Sequence, residues 1–582
     1  MHPRTLQLAA ALPWILCSCD QGTQAAEVPQ PGRFSFVDVA AEAGVTLVNV
    51  SGDPRRWYIP ESNGNGAAWL DHDGDGDMDL FVGNGQGLRY EEGGKRLVVE
   101  QVARSAFYRN DTPRGGPLKF TDVSVEVGAA RQEWVQTIAT GDVDGDGDTD
   151  LYLGNLGPDV LLVNEGGRLR DATAEAGLGS PLWASGAAFG DADNDGDLDL
   201  YVANYCQWDP ESPPAGGMRN VIEGVEVGWG PIGENQRYNP GAPDIFYLND
   251  GKGRFRDATK EAGFELEKGL CSYAVVFSDI DGDGWQDVLV ANDLEPSNLF
   301  HNQGGGRFVE QGVKRGFALT TDGRPTSAMG LMIADVDDDG DQDVFRSNFD
   351  LEPNSLHLND GQGYFQEAAG RFGLAEPSVD RLGWGGGFFD AECDGDLDLF
   401  VANGHVYPQA KEIGMSGWLM ASQLYEAVAQ EGGAVRYVDA TARAGADLGA
   451  LRSARGAALA DADSDGDLDL VVVDIDEPPR LLENRTPRAG RWISVRTRGT
   501  ASNRDGYGAV VSVTAGGRTQ VREVRATDGL YSSNDPRIHF GLGPVERVER
   551  VEVRWPSGRR SVVEEPALDA LLEVVEPQEI DR

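Results

Sequence analysis

The sequence predicts an all-β protein: a seven-bladed β-propeller whose last blade is closed by an N-terminal strand, followed by a small C-terminal β-sandwich or barrel. Three observations predict it. A ten-residue acidic motif occurs seven times, strand-forming text flanks the copies, and a segment missing after the seventh copy stands ahead of the first.

The motif reads "DHDGDGDMDL" at 71, "DVDGDGDTDL" at 142, "DADNDGDLDL" at 191, "DIDGDGWQDV" at 279, "DVDDDGDQDV" at 335, "DAECDGDLDL" at 390 and "DADSDGDLDL" at 461. The starts lie 71, 49, 88, 56, 55 and 71 residues apart, so the basic period is about 50 with insertions, the length of one propeller blade. A small-and-apolar run such as "SGAAFGD" or "GGGFFD" leads into the motif, and a β-branched or aromatic run such as "LYVAN" or "LFVAN" leaves it. That is strand, acidic hairpin, strand. Thirteen residues after the first Asp stand Asn84, Asn155, Asn204, Asn292, Asn348 and Asn403, with Asp474 in the last copy. Phrases such as "DIFYLNDGKGRFRDATKEAGF" supply a third and fourth strand, with Asn-Asp-Gly read as the turn. Four strands per repeat, seven times over, make a seven-bladed propeller.

Closure follows from what is displaced. After the seventh motif a third strand, "RLLEN" at 480–484, has no "GRFxDAT" segment behind it, and that segment stands at Gly32 to Val45 as "GRFSFVDVAAEAGV". Residues 33–38 are therefore expected to form the fourth strand of the last blade and to latch the ring without a covalent bond.

Five acids packed into nine residues repel: at an effective dielectric of about 20, each like-charged pair about 4 Å apart costs about 4 kcal/mol. A cation is needed. An all-oxygen donor set without His or Cys in the ligand positions selects calcium or magnesium over zinc and copper, and flexible multi-carboxylate loops favour calcium. The candidate ligands occupy positions 1, 3, 5, 7 and 9: Asp71, Asp73, Asp75, Asp77 and Asp79; Asp142, Asp144, Asp146, Asp148 and Asp150; Asp191, Asp193, Asp195, Asp197 and Asp199; Asp279, Asp281, Asp283, Trp285 and Asp287; Asp335, Asp337, Asp339, Asp341 and Asp343; Asp390, Glu392, Asp394, Asp396 and Asp398; Asp461, Asp463, Asp465, Asp467 and Asp469. Position 7 contributes its backbone carbonyl, since Trp285 has no ligating side chain, and position 9 closes the shell. Gly at position 6 of every copy permits the sharp turn. An EF-hand begins alike but needs Glu at position 12, where this chain has Val82, Leu153, Val202, Val290, Arg346, Val401 and Val472. The sixth copy departs most, with Glu392 at position 3 and Cys393 at position 4.

The 582 residues carry 50 Lys plus Arg against 96 Asp plus Glu, a formal charge of −46, which argues against nucleic acid and anionic membrane surfaces as partners. Residues 488–582 hold 15 Arg, no Lys and 14 Asp plus Glu, a net of +1 that leaves −47 for the remainder and marks a domain boundary near 487. At the N-terminus, Arg4 and the apolar run Leu6 to Leu16 read as an export signal too short to span a membrane. Leu16, Ser18 and Cys19 resemble a bacterial lipobox, which implies a lipid on Cys19 and a cell-envelope lipoprotein; the alternative is a simple secretory peptide cut near Ala25 or Ala26, giving a secreted or periplasmic protein. The expected organisation is a signal peptide over 1–19, a linker over 20–32, the propeller over 33–487, the second domain over 488–577 and a tail over 578–582. Outside the cytosol calcium is plentiful and disulfides persist.

The acidic loops resemble FG-GAP, or integrin-type, calcium repeats, a likeness that covers nearly all of residues 33–486 and implies ions in the hairpins between the first and second strands, on one face of the disc. "NRDGYGA", "GLYSSNDPRIHFGLG" and "WPSG" resemble the ASPIC and UnbV domain, and with the propeller ahead of it the chain resembles the cartilage acidic protein family. Asn503, Arg504, Asp505, Gly508, Asp535, His539, Gly541, Trp555 and Gly558 match the domain motif, where they are expected to set turns and buried hydrogen bonds.

Two long inserts, 205–242 with Tyr205, Trp208, Trp229 and Tyr238, and 404–422 with His405, Tyr407 and Trp418, belong to the face opposite the hairpins and are either a ligand rim or rigid loop packing. Cys206 and Cys271 are expected at neighbouring blades on that face, within reach of a disulfide. The function expected first is an extracytoplasmic, calcium-stabilised binding or adhesion module for a protein or glycan. A polysaccharide-acting enzyme is the alternative, requiring a charged cluster in the central funnel although the chain has neither HExxH nor GxSxG. A scaffold for an enzyme partner is the third reading.

Overall fold

A computed structural model describes residues 33–53, 59–91, 96–208, 219–222, 225–228, 240–430 and 434–578. The expected leader with Cys19, the linker 20–32, and Trp229 and Tyr238 of the first insert lie outside them.

Seven four-stranded antiparallel sheets form the blades. Blade 1 runs outward as Ala67–Leu70, Asp79–Val82, Ala106–Asn110 and Phe120–Asp122. The next five blades repeat that order, and blade 7 is built from Ala454–Ala460, Asp469–Asp474, Arg480–Asn484 and the early strand Phe36–Asp38. Phe36 pairs with Asn484 and Asp38 with Leu482, so the first described strand completes the last blade. Around the axis the inner strands touch in sequence, and Ala454–Ala460 of blade 7 meets Ala67–Leu70 of blade 1. Small residues make this crowding possible: "SGAAFG" and "GWGGG" line the axis where larger side chains of seven strands would collide. Bulky residues such as Phe81, Phe107, Val288 and Phe300 fill the space between blades further out.

The second domain is a sandwich. Arg491–Arg498 lies between Ile538–Gly543 and the parallel strand Leu571–Val575, while Val510–Ala515 lies between Arg518–Glu523 and Val548–Arg554, with Arg560–Glu564 outermost. Its core of Ile493, Val495, Val511, Val513, Phe540, Val551 and Val553 continues into Ala139, Val143 and Leu198 of blades 2 and 3 through Tyr507.

From this domain residues 526–535, "ATDGLYSSND", run into the propeller axis. The Ile138 N–H donates to the Tyr531 carbonyl at 2.9 Å, and the Ser533 N–H to the Ala67 carbonyl at 3.0 Å, with Trp69 N–H returning to the Ser533 carbonyl at 3.1 Å. Leu331 exchanges backbone bonds with Gly529, and Leu459 N–H donates to Asn534 Oδ1 at 2.9 Å. Inner strands of blades 1, 2, 5 and 7 thus use the segment as a shared partner for backbone groups that no neighbouring strand satisfies. A Cβ on Gly66 would lie 1.9 Å from the Tyr531 carbonyl, so the contact requires glycine there. No described helix is long and apolar enough to cross a membrane.

Candidate functional site

All seven acidic loops are tight turns joining the first and second strands of a blade. In six of them the position-6 glycine N–H donates to Oδ2 of the position-1 aspartate, at 2.7–3.1 Å, as Gly147 does to Asp142 and Gly395 to Asp390. In all seven the N–H of position 7 donates to Oδ1 of position 5, at 2.9–3.1 Å. Oxygens of positions 1, 3 and 5 converge to within 4.8 Å of one another in the loops of Asp71, Asp142 and Asp191, a spacing and donor set that suit a hard divalent cation.

Position 9 has a second task. Its side chain is buried in every loop, and its Oδ1 accepts the N–H of the residue near the end of the third strand: Asn110, Asn164, Asn249, Asn302, Asn359, Ala427 or Asn484, at 2.6–2.9 Å. The six asparagines then reach across to the preceding blade. Nδ2 of each donates to the position-2 carbonyl of that blade's acidic loop, at 2.7–2.9 Å: Asn110 to Ala462, Asn164 to His72, Asn249 to Val143, Asn302 to Ala192, Asn359 to Ile280 and Asn484 to Ala391. The asparagine of "LND" therefore does more than begin a turn; it ties neighbouring loops together. Its recurrence at one strand position was the available signal. Blade 6 alone has Ala427 there, in register with Tyr437, whose buried ring lies 6.2 Å from Phe388.

Burial, reinforced by neighbouring carboxylates, pushes Asp142, Asp191, Asp279, Asp335 and Asp390 up to about 7. Glu392 is raised to about 8 for the same reasons, with Arg33 beside it and beside Glu426 opposing. The loops as built hold more negative charge than their surroundings neutralise.

The second domain covers this face and touches every loop. Arg496 lies 3.5 Å from Asp71, and Arg537 donates to the Gly76 carbonyl at 3.2 Å. Asp142 N–H donates to Asp505 at 2.8 Å, and the Ala501 carbonyl closes over Gly196. Ser278 donates to Glu523 at 2.5 Å, while Arg518 bridges Asp338 at 2.5 Å and Asp396 at 3.0 Å. His539 Nε2 donates to the Gly466 carbonyl at 3.0 Å. Motif residues expected only to set turns are thus docking residues as well: a Cβ on Gly541 would fall 1.8 Å from Asp390 Oδ2. In the funnel, the charges are supplied by this domain and pair with one another, Arg525 with Glu523 and Arg537 with Asp535.

On the opposite face the rim residues divide. Tyr205 and Tyr407 line a pocket of about 40 Å³ with Tyr273, Asp293, Phe349 and Trp384. His405 is buried with Nε2 3.6 Å from Asp350, and Trp418 stacks under the Arg455 guanidinium at 5.6 Å. Tyr273 and Trp384, inner-strand residues hidden in the runs "SYAVVF" and "GWGGGFF", were not marked out by any insert. Cys206 and Cys271 share one apolar cluster, but no disulfide joins them, so the expected bond is not formed; burial raises the Cys206 thiol well above its usual range. Cys393 is buried on the hairpin face, where its carbonyl accepts from Gly543.

Comparison with known proteins bears on both parts of the chain. Over 352 residues, 58% of this chain, it is 25% identical to cartilage acidic protein 1 of Mus musculus, and over 351 residues 24% identical to that of Homo sapiens. The chain spans about half the length of these curated relatives. Among solved structures it is similar to an Agrocybe aegerita lectin that recognises non-reducing terminal N-acetylglucosamine, at 15% identity and TM-score 0.33 over 64% of this chain and 79% of that one. It is also similar to an exotype rhamnogalacturonan lyase, at 10% identity and TM-score 0.28 over 76% and 91%. Residues 142–202 and 279–346 match the FG-GAP-like repeat and residues 499–581 match ASPIC and UnbV. This chain joins FG-GAP-like repeats to an ASPIC and UnbV domain.

Proposed function

We propose that the protein is an exported, calcium-stabilised propeller that binds a protein or carbohydrate ligand through the face opposite its acidic loops. The observation that carries this reading is a recurring loop geometry: the position-7 N–H bonds the position-5 carboxylate in all seven loops, and oxygens of positions 1, 3 and 5 converge in those of Asp71, Asp142 and Asp191. Asp142, Asp144, Asp146 and Asp150, with the Asp148 carbonyl, would hold an ion in loop 2, and the other loops follow the same positions. Bound calcium supplies the positive charge that cancels repulsion within a loop. The asparagines would transmit that order to the next blade. The leader and Cys19 support export with a lipid anchor, and a Cys19→Ser variant is expected to leave the membrane fraction.

The test is a thermal melt with and without chelator. At a hundredfold excess over Kd, calcium adds about 2.7 kcal/mol per site. Chelation should therefore lower the melting temperature sharply, and calcium but not magnesium should restore it, because magnesium demands a tighter octahedral shell. An unchanged melt overturns the metal assignment.

A further inference from the structure

The pocket on the open face has an unusual floor. Asp293 stands just past the second strand of blade 4, accepts the Tyr205 hydroxyl at 2.6 Å, and has no Lys, Arg or His within ion-pair distance among the described residues. Glu352, bonded by the Ser327 N–H at 2.8 Å, is a second acid, whose titration burial raises with Asp293 adding to it and Arg346 opposing. Burial pushes Asp293 up to about 6, while hydrogen bonds from Tyr205 and Ser327 favour its charged form. A desolvated charge without a partner is costly unless something positive meets it.

The walls are aromatic. Tyr205 and Tyr273 lie 4.4 Å apart between centroids, Tyr273 and Trp384 meet edge to face at 6.0 Å, and Tyr407 and Phe349 complete the ring. Their positions are fixed from below, since Tyr531 of the axial segment packs 6.4 Å from Tyr273 and 6.3 Å from Trp384. Trp384 already receives one cation: the Arg455 guanidinium carbon stands 4.2 Å from its centroid. Faces of electron-rich rings around an anionic floor attract ammonium groups. With about 40 Å³, the pocket admits about three or four heavy atoms, enough for a methylated amine head and too few for a pyranose ring.

We propose that this pocket binds a small ammonium head, primary or methylated, with Asp293 as counter-ion and Tyr205, Tyr273, Trp384 and Tyr407 as its aromatic walls. The inference rests on the reading of this face as the ligand-bearing one and names the ligand's chemistry. The axial segment is part of the site, because it sets the two rings deepest in the pocket.

The experiment titrates the full calcium-loaded chain with methylammonium, with choline and with 3,3-dimethylbutan-1-ol, choline's neutral isostere, following tryptophan fluorescence and heat. The expected result is saturable binding of an ammonium compound, with the neutral isostere weaker by about tenfold, and Asp293→Asn weakening the ammonium by a similar factor. Equal binding of the isostere, or no saturable ammonium binding in the millimolar range, overturns the proposal, and both are read on the unmutated protein. Saturable glycan or protein binding without saturable ammonium binding overturns it while leaving the binding-module reading intact.

Discussion

On the hairpin face, carboxylates outnumber cations and are covered by an arginine-rich domain that touches each loop; on the other face, aromatic rings line a pocket with Asp293. The first face is a place for architecture. On the proposed reading a metal would offset its charges, which would couple seven blades and a second domain to one condition. On the second face Tyr205, Tyr273 and Trp384 are packed against each other and against Tyr531. Two surfaces of one disc thus use burial differently: one to make charge responsive, the other to hold a shape.

The largest expected effect that would sharpen this contrast is a pH response summed over the loops. In metal-free buffer the folded-state values of Asp142, Asp191, Asp279, Asp335 and Asp390 stand near 7, well above the unfolded value near 3.8. For an acid raised on folding, the penalty is full above the folded value and disappears below the unfolded one, so the metal-free protein should gain stability as pH falls from about 8 to about 5. With saturating calcium the loops require the charged form, and acid should cost stability instead. Asp159 and Asp244, raised by burial to about 8 and about 7 on the opposite side of blades 2 and 3, act on both curves alike. Melts across this range should therefore converge towards low pH; parallel curves would break the contrast.

Next in size is Tyr531→Ala, which empties a fully buried aromatic site joining the two faces and should cost about 3–5 kcal/mol in a denaturant titration. A loss under about 1 kcal/mol would mean the axis does not depend on this ring. Asn359→Ala should cost about 1–3 kcal/mol, because it strands the Ile280 and Gln342 carbonyls at a blade junction. The smallest effect is expected from Arg496→Gln, an exposed contact with Asp71 at 3.5 Å, within about 1 kcal/mol by the same titration. A loss for Arg496→Gln as large as for Asn359→Ala would show that the covering domain, rather than the asparagine ties, orders the hairpin face.

Much of the propeller was legible because it repeats. Seven copies of one pattern revealed the strands, the hairpins and, through the displaced segment at Gly32 to Val45, the closing strand. The asparagine ties were printed in the same repeats but looked like turn residues, since a turn and a cross-blade bond ask for the same side chain. Residues 526–535 gave no such signal: they occur once, and their partners lie as far off as Ala67, which Ser533 bonds, so nothing in local spacing marks them as axial. The charge break near 487 hinted at attraction between the domains without saying where they meet. Cys206 and Cys271 show the opposite error, in which correct placement in one cluster was taken for a bond.

The segment at the axis has a consequence for assembly. It follows every propeller strand along the chain, yet it occupies the hub that the inner strands surround, and Phe36–Asp38 must likewise wait for Arg480–Asn484. A nascent chain stopped short of residue 526 would therefore present a ring whose inner strands lack the backbone partners that Tyr531, Ser533 and Gly529 supply.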